Sequence, residues 1–163
     1  MDAELTGYEV LEVGERIERN GAKFYRRAAA ICDDADISGL FVQLAQWEVR
    51  HIQVFKEMKE QLAEQKWELG DFAPDRVGEP DAQALAGLAV FGIQPDPAEQ
   101  LTGQESRAEV LRIAIEKEKD SIVYYTGLKD FVPRQRDRET IEEIIQEEMK
   151  HVRILVQSLE QIE

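Results

Sequence analysis

Along most of the chain, apolar residues recur at spacings of three and four, the period of an α-helix with one buried face. Val10, Leu11, Gly14, Glu18, Gly21, Tyr25 and Ala28 mark a first stripe. The run Asp33-Asp34-Ala35-Asp36 interrupts it and supplies N-cap chemistry for a second helix. There the stripe is Phe41, Leu44, Ala45, Glu48, His51, Ile52, Phe55, Met58 and Leu62. Val110, Leu111, Ala114, Glu118, Ser121, Tyr125 and Leu128 make a third, which Phe131-Val132-Pro133 stops because proline cannot continue a helix. The fourth stripe is Ile141, Ile144, Ile145, Glu148, His151, Val152, Leu155 and Leu159. Short links within each half make antiparallel neighbours. Residues 66–103 form a long crossover punctuated by Gly70, Pro74, Gly78, Pro80, Pro95 and Pro97, with a short helix predicted over 81–91. The expected fold is therefore all-α. It is a four-helix bundle of two antiparallel hairpins, at about 5–65 and 104–163, in a single domain spanning 1–163.

The two hairpins repeat one another. Residues 10–62 lie over residues 110–162 at an offset of 100 with no gap. Leu11 meets Leu111, Phe24-Tyr25 meets Tyr124-Tyr125, and Phe41 meets Ile141. Leu44 meets Ile144, and Phe55 meets Leu155. Among charged residues the register pairs Glu18 with Glu118, Glu48 with Glu148 and His51 with His151. The physical content of the repeat is pseudo-two-fold symmetry.

Composition narrows the function. The chain has 163 residues, 43% hydrophobic and 33% charged, with a formal net charge of −14. That field repels nucleic acid and attracts metal cations. Cys32 is the single cysteine, which rules out a disulfide framework and a paired-cysteine metal knuckle; a buried or half-buried thiol near a helix end is expected. The acidic start MDAELTGYEV lacks an apolar signal core, and the apolar run Ala84 to Ile93 is too short to span a bilayer. A cytoplasmic protein with no membrane partner is expected.

The departure from an ordinary bundle is that Glu18, Glu48, His51, Glu118, Glu148 and His151 lie on the apolar stripes. Carboxylates buried together are tolerable only when neutralised. No Lys or Arg occupies a matching core position, and Arg19 and Lys119 follow the glutamates by one residue and point elsewhere. Two divalent cations cancel four glutamates. Glu48-x-x-His51 and Glu148-x-x-His151 each place an oxygen and a nitrogen on one helix face. Glu18 and Glu118 join from the neighbouring helices, as in di-iron and di-manganese carboxylate bundles. The competing reading is a set of buried histidines paired to glutamates without metal.

The repeat also excludes acids. Glu15 aligns with Ile115, Glu116 with Arg16 and Glu147 with Trp47, so these three are expected as solvated surface charge. Gly14 and Gly21 flank Glu18, and Ala114 and Ser121 flank Glu118. Such small residues suit either close helix packing or room for metals and a small oxidant. Tyr25 and Tyr125 lie two turns beyond Glu18 and Glu118, from where their hydroxyls can donate to a ligand carboxylate across the bundle or simply fill the core. Trp47 is expected in packing or a subunit contact, and Met58 in the core.

These segments resemble the rubrerythrin family of the ferritin-like superfamily. Glu18-Arg-Asn-Gly-Ala-Lys-Phe-Tyr25 and Glu118-Lys-Asp-Ser-Ile-Val-Tyr-Tyr125 look like its E-x-x-[GA]-x-x-F-Y element. Leu40-Phe-Val-Gln-Leu-Ala-Gln-Trp-Glu48-Val-Arg-His51 looks like its second-helix element. The resemblance covers most of both hairpins and all six ligand positions. It implies a ferritin-like bundle holding two iron ions, with manganese or zinc as substitutes. It further implies reduction of hydrogen peroxide or oxygen in oxidative-stress defence, and a homodimer or higher homo-oligomer. Two departures stand out. With one cysteine the chain carries no rubredoxin module, so a separate electron donor such as a rubredoxin-like protein is implied. Rubrerythrins also place an extra glutamate one turn after the third-helix ligand, where this chain has Ser121. Bacterioferritins share the paired E-x-x-H helices, so a ferroxidase or iron-storage role is the alternative, although no haem ligand presents itself. A di-manganese or non-catalytic metal protein is a weaker one.

Overall fold

The computed structural model describes residues 7–64, 100–132 and 134–163. Helix α1 spans Gly7–Ile31, α2 Ala35–Glu64, α3 Arg107–Leu128 and α4 Gln135–Glu160, with a single 3₁₀ turn, Lys129–Phe131, after α3. These are the four expected helices. α1 packs along α2 and α3 along α4; the hairpins meet through α1 against α3 and α2 against α4. The short helix expected over 81–91 lies outside the described residues.

The expected boundaries have identifiable causes. Asp34 Oδ1 accepts from the backbone N–H groups of Asp36 and Ile37, both at 3.0 Å, satisfying donors that the first turn of α2 leaves open. At α3, Ser106 accepts from the Glu109 N–H at 3.2 Å while the Glu109 carboxylate accepts from the Ser106 N–H at 2.6 Å. That reciprocal arrangement is a capping box. Gly103 precedes it at φ 90°, a left-handed conformation that glycine adopts without strain. Arg107 pairs with Asp34 at 2.8 Å and ties the start of α3 to the start of α2. After the 3₁₀ turn, Val132 is extended (φ −104°, ψ 122°), as a residue preceding proline must be. Cys32 follows the last turn of α1 and is half-buried, as expected.

Core residues fall into two clusters. One holds Val10 and Leu11 of α1, Phe55 and Met58 of α2, Tyr124, Tyr125 and Leu128 of α3, and Ile141, Ile144 and Ile145 of α4. The other holds Phe24, Tyr25 and Ala28 of α1, Ile37, Phe41, Leu44 and Ala45 of α2, Val110, Leu111, Ala114 and Ile115 of α3, and Leu155 of α4. On every helix the E-x-x-H residues or the lone glutamate fall between the two sets. A layer of ionisable groups is thus sandwiched between two apolar layers. Tyr124 closes one of them by donating to the Val10 carbonyl at 2.9 Å, a hydrogen bond from the second hairpin to the first. Among the described residues no helix is long and apolar enough to cross a membrane.

Candidate metal centre

All six expected residues converge at that middle layer, and all are buried: Glu18 0%, Glu48 4%, His51 3%, Glu118 3%, Glu148 1% and His151 2% exposed. They form two overlapping sets, each with its ligand-type atoms within 4.8 Å of one another. The first set is Glu18, Glu48, His51 and Glu148; the second is Glu48, Glu118, Glu148 and His151. Glu48 and Glu148 belong to both. Glu18 and His51 come from the first hairpin alone, Glu118 and His151 from the second. Glu148 reaches both imidazoles, with Oε1 2.9 Å from His51 Nδ1 and Oε2 2.6 Å from His151 Nδ1. His51 Nδ1 also lies 3.2 Å from Glu18, and His151 Nδ1 lies 3.6 Å from Glu118 and 3.9 Å from Glu48.

The two tyrosines act across the bundle and reciprocally. Tyr25 of α1 donates its hydroxyl to Glu118 of α3, and Tyr125 of α3 donates to Glu18 of α1. Each glutamate outside the shared pair is thereby oriented by the opposite hairpin. Glu48 is accommodated by Gly21: a methyl group there would sit 3.0 Å from Glu48 Cδ and collide with its carboxylate. Gly14 serves packing, since a methyl group would lie 2.8 Å from the Phe55 ring. At the place of the rubrerythrins' extra glutamate, the Ser121 hydroxyl donates to the Lys117 carbonyl within its own helix.

Electrostatics in this layer are dominated by burial and by crowded negative charge. Glu48 is raised well above the carboxylate range, by burial first and then by Glu18, Glu148 and Glu118. Glu148 is raised to about 7 by burial and by Glu118 and Glu18. Burial alone would lower the histidines, but the facing carboxylates outweigh it, lifting His51 to about 12 and His151 to about 9. Burial would raise Glu118 too, yet its contact with His151 holds it low. Tyr25 and Tyr125 are raised well above 10 by burial and by Glu118 and Glu18 respectively, so both remain hydroxyl donors. Without metal, protons must therefore neutralise the cluster.

The same residues are consistent with a dinuclear metal site. Glu48 Oε1, both oxygens of Glu148 and His151 Nδ1 are buried with no aligned hydrogen-bond partner. Orphaned polar atoms are costly in an interior. Three of these atoms belong to Glu48 and Glu148, common to both sets, and the fourth to His151 of the second set; all are of a kind that can ligate a metal ion. Mixed carboxylate and imidazole donors suit iron or manganese.

Comparison with solved structures agrees with this geometry. A Thermotoga maritima crystal structure, provisionally described as a ferritin-like diiron-carboxylate protein, matches with a TM-score of 0.74 and 26% identity, over 100% of both chains. The fold is that of a ferritin-like diiron-carboxylate protein. The likeness does not single out rubrerythrins within that superfamily. No protein-family model matches the sequence, nor does any curated protein.

Around the buried Glu/His cluster, two expectations are corrected. Glu147 is not simply solvated: half-exposed, it receives the His51 Nε2 contact at 3.0 Å, and that contact lowers its pKa against the opposing effect of burial. Glu15 is buried, not exposed, and is held at 2.6 Å by both Lys59 and Arg19. The available signal was its repeat partner, Ile115, which marks the position as interior. Glu116 is a surface charge as expected, paired with Lys119. Trp47 packs face to face on His151, at 4.7 Å and 7°.

Proposed function

We propose that this chain is a non-haem di-iron oxidoreductase that reduces hydrogen peroxide, or oxygen, with electrons from an external donor. The observation that supports it best is the pair of overlapping four-residue sets sharing Glu48 and Glu148. Glu18 and His51 would hold one iron, Glu118 and His151 the other, and the two shared carboxylates both. When bound, a ferrous pair supplies the two electrons that, with two protons, convert hydrogen peroxide to two waters.

The remaining duties fall to the chain. The carboxylates neutralise the cations and favour the higher charge of the oxidised pair. Tyr25 and Tyr125 hold Glu118 and Glu18 in place with hydroxyls that burial keeps protonated. The apolar layers above and below restrict water. A rubredoxin-like protein in a reducing cytoplasm is the proposed donor, and a homodimer the smallest proposed assembly.

Anaerobic purification should yield two irons per chain. Stopped-flow mixing should then show the diferrous protein oxidised faster by peroxide than by oxygen. Equal or slower oxidation by peroxide would overturn the peroxidase reading. The net charge of −14, which draws cations inward, favours ferroxidase and storage as the second reading. Sizing in solution separates the two: a 24-subunit shell supports storage, a small oligomer the enzyme.

A further inference from the structure

The six residues of the site obey the repeat, but the groups behind the two histidines do not. Positions 47 and 147 are equivalent at the offset of 100, and each touches the histidine of the opposite hairpin. Glu147 of α4 meets His51: its Oε2 lies 3.0 Å from Nε2. Once a cation displaces the Nδ1 proton, that contact keeps the remaining proton on Nε2 and leaves the Nδ1 lone pair on the side of Glu18 and Glu148. A carboxylate on the outer nitrogen also makes an imidazole a stronger metal ligand. Arg50 supports the arrangement, attracting Glu147 and lying 6.0 Å from the Trp47 ring centroid. Trp47 of α2 meets His151 with its ring face, at 4.7 Å. A ring face orients the imidazole but accepts no proton from an in-plane N–H and adds no charge.

We propose that the two metal positions are inequivalent, with Glu147 a positioning residue that makes the Glu18–His51 position the tighter and first-filled cation site, and with the Glu118–His151 position, backed by Trp47, the weaker. This rests on the dinuclear reading of the site, though not on any particular activity. A centre built this way binds one cation firmly and exchanges the other, although its six ligands are matched in pairs.

The test uses Co(II) as the probe on the full-length chain freed of metal. Crystals grown with one equivalent of Co(II) should show greater anomalous occupancy at the Glu18–His51 position. Glu147→Leu should abolish that preference, and in calorimetry should weaken the tighter of two binding steps by about 10- to 100-fold while the other moves little. Glu147→Gln, which keeps an acceptor without the charge, should fall between wild type and Glu147→Leu. Trp47→Phe, which keeps a stacking ring, should leave the order of filling unchanged. Circular dichroism guards against misfolding, which is not expected for a half-exposed residue. Equal occupancy in the wild type, or a preference that survives Glu147→Leu, would overturn the proposal and leave the dinuclear site standing. Failure of wild type to bind Co(II) at all would instead overturn the metal reading beneath it.

Discussion

Compared position by position, the two hairpins are identical at the glutamates and histidines of the buried middle layer and differ at several positions packed around them. Gly14 lies under the large ring of Phe55, whereas the matching residues are the larger Ala114 and the smaller Leu155, both buried. Glu15 and Lys59 form an ion pair at 2.6 Å, whereas the matching residues are Ile115 and Leu159, packed in an apolar cluster. Gly21 makes room for Glu48, whereas Ser121 satisfies its hydroxyl within its own helix. Packing has more than one solution at constant volume, so each hairpin uses its own. Coordination has few, because cation charge and donor geometry leave little latitude. Glu18, Tyr25, Glu48 and His51 each recur unchanged at the offset of 100.

The largest effect that would break this comparison separates shared from unshared carboxylates. Glu118→Ala should remove one metal and leave about one per chain, whereas Glu148→Ala should reduce loading well below one, because both sets depend on it. Elemental analysis after anaerobic purification measures this. Equal loss in the two variants would contradict the overlap of the sets.

The ion pair comes next. Lys59→Leu strands Glu15 with Arg19 as its remaining partner, and should cost about 2 kcal/mol, below the ~3–5 kcal/mol of a fully isolated buried charge. Glu15→Ile with Lys59→Leu copies the second hairpin and should return stability to within about 1 kcal/mol of wild type. Urea denaturation of the single and double variants reads both values.

The glycine contrast yields a smaller effect. Gly14→Ala pushes a methyl group into Phe55 and should cost about 1–3 kcal/mol from overpacking, less about 1 kcal/mol of gained helix propensity. Adding Phe55→Leu again copies the second hairpin and should recover part of the loss. Additive destabilisation in the double variant would show that the two positions are not coupled.

The effect spread over the widest range of conditions is the pH response of the metal-free chain. Glu148, at about 7, and His151, at about 9, both lie above their ordinary values of 4.5 and 6.5. The Glu148 contribution is fully present below pH 4.5 and is lost as pH rises through about 7. The His151 contribution is fully present below pH 6.5 and is lost as pH rises through about 9. His51, at about 12, keeps its proton throughout that window. The melting temperature with chelator present should therefore fall from about pH 5 to about pH 9. Two bound cations displace those protons, so loading with Co(II) should abolish or reverse the slope.

The sequence alone determined the four helices, their antiparallel pairing and the six residues of the buried Glu/His layer. Helical periodicity and an exact offset are local, one-dimensional signals, and charge on an apolar stripe is conspicuous without coordinates. Tertiary structure decided which residues meet across the bundle. Only folding shows that Glu48 and Glu148 are shared while Glu18 and Glu118 are not, or which carboxylate across the bundle each tyrosine reaches. Glu147 and Glu15 illustrate the reason. Each lies where its repeat partner is not acidic, so the pattern classed both as solvated charge. Their roles come from His51 and Lys59, residues brought alongside by packing and not by any spacing along the chain.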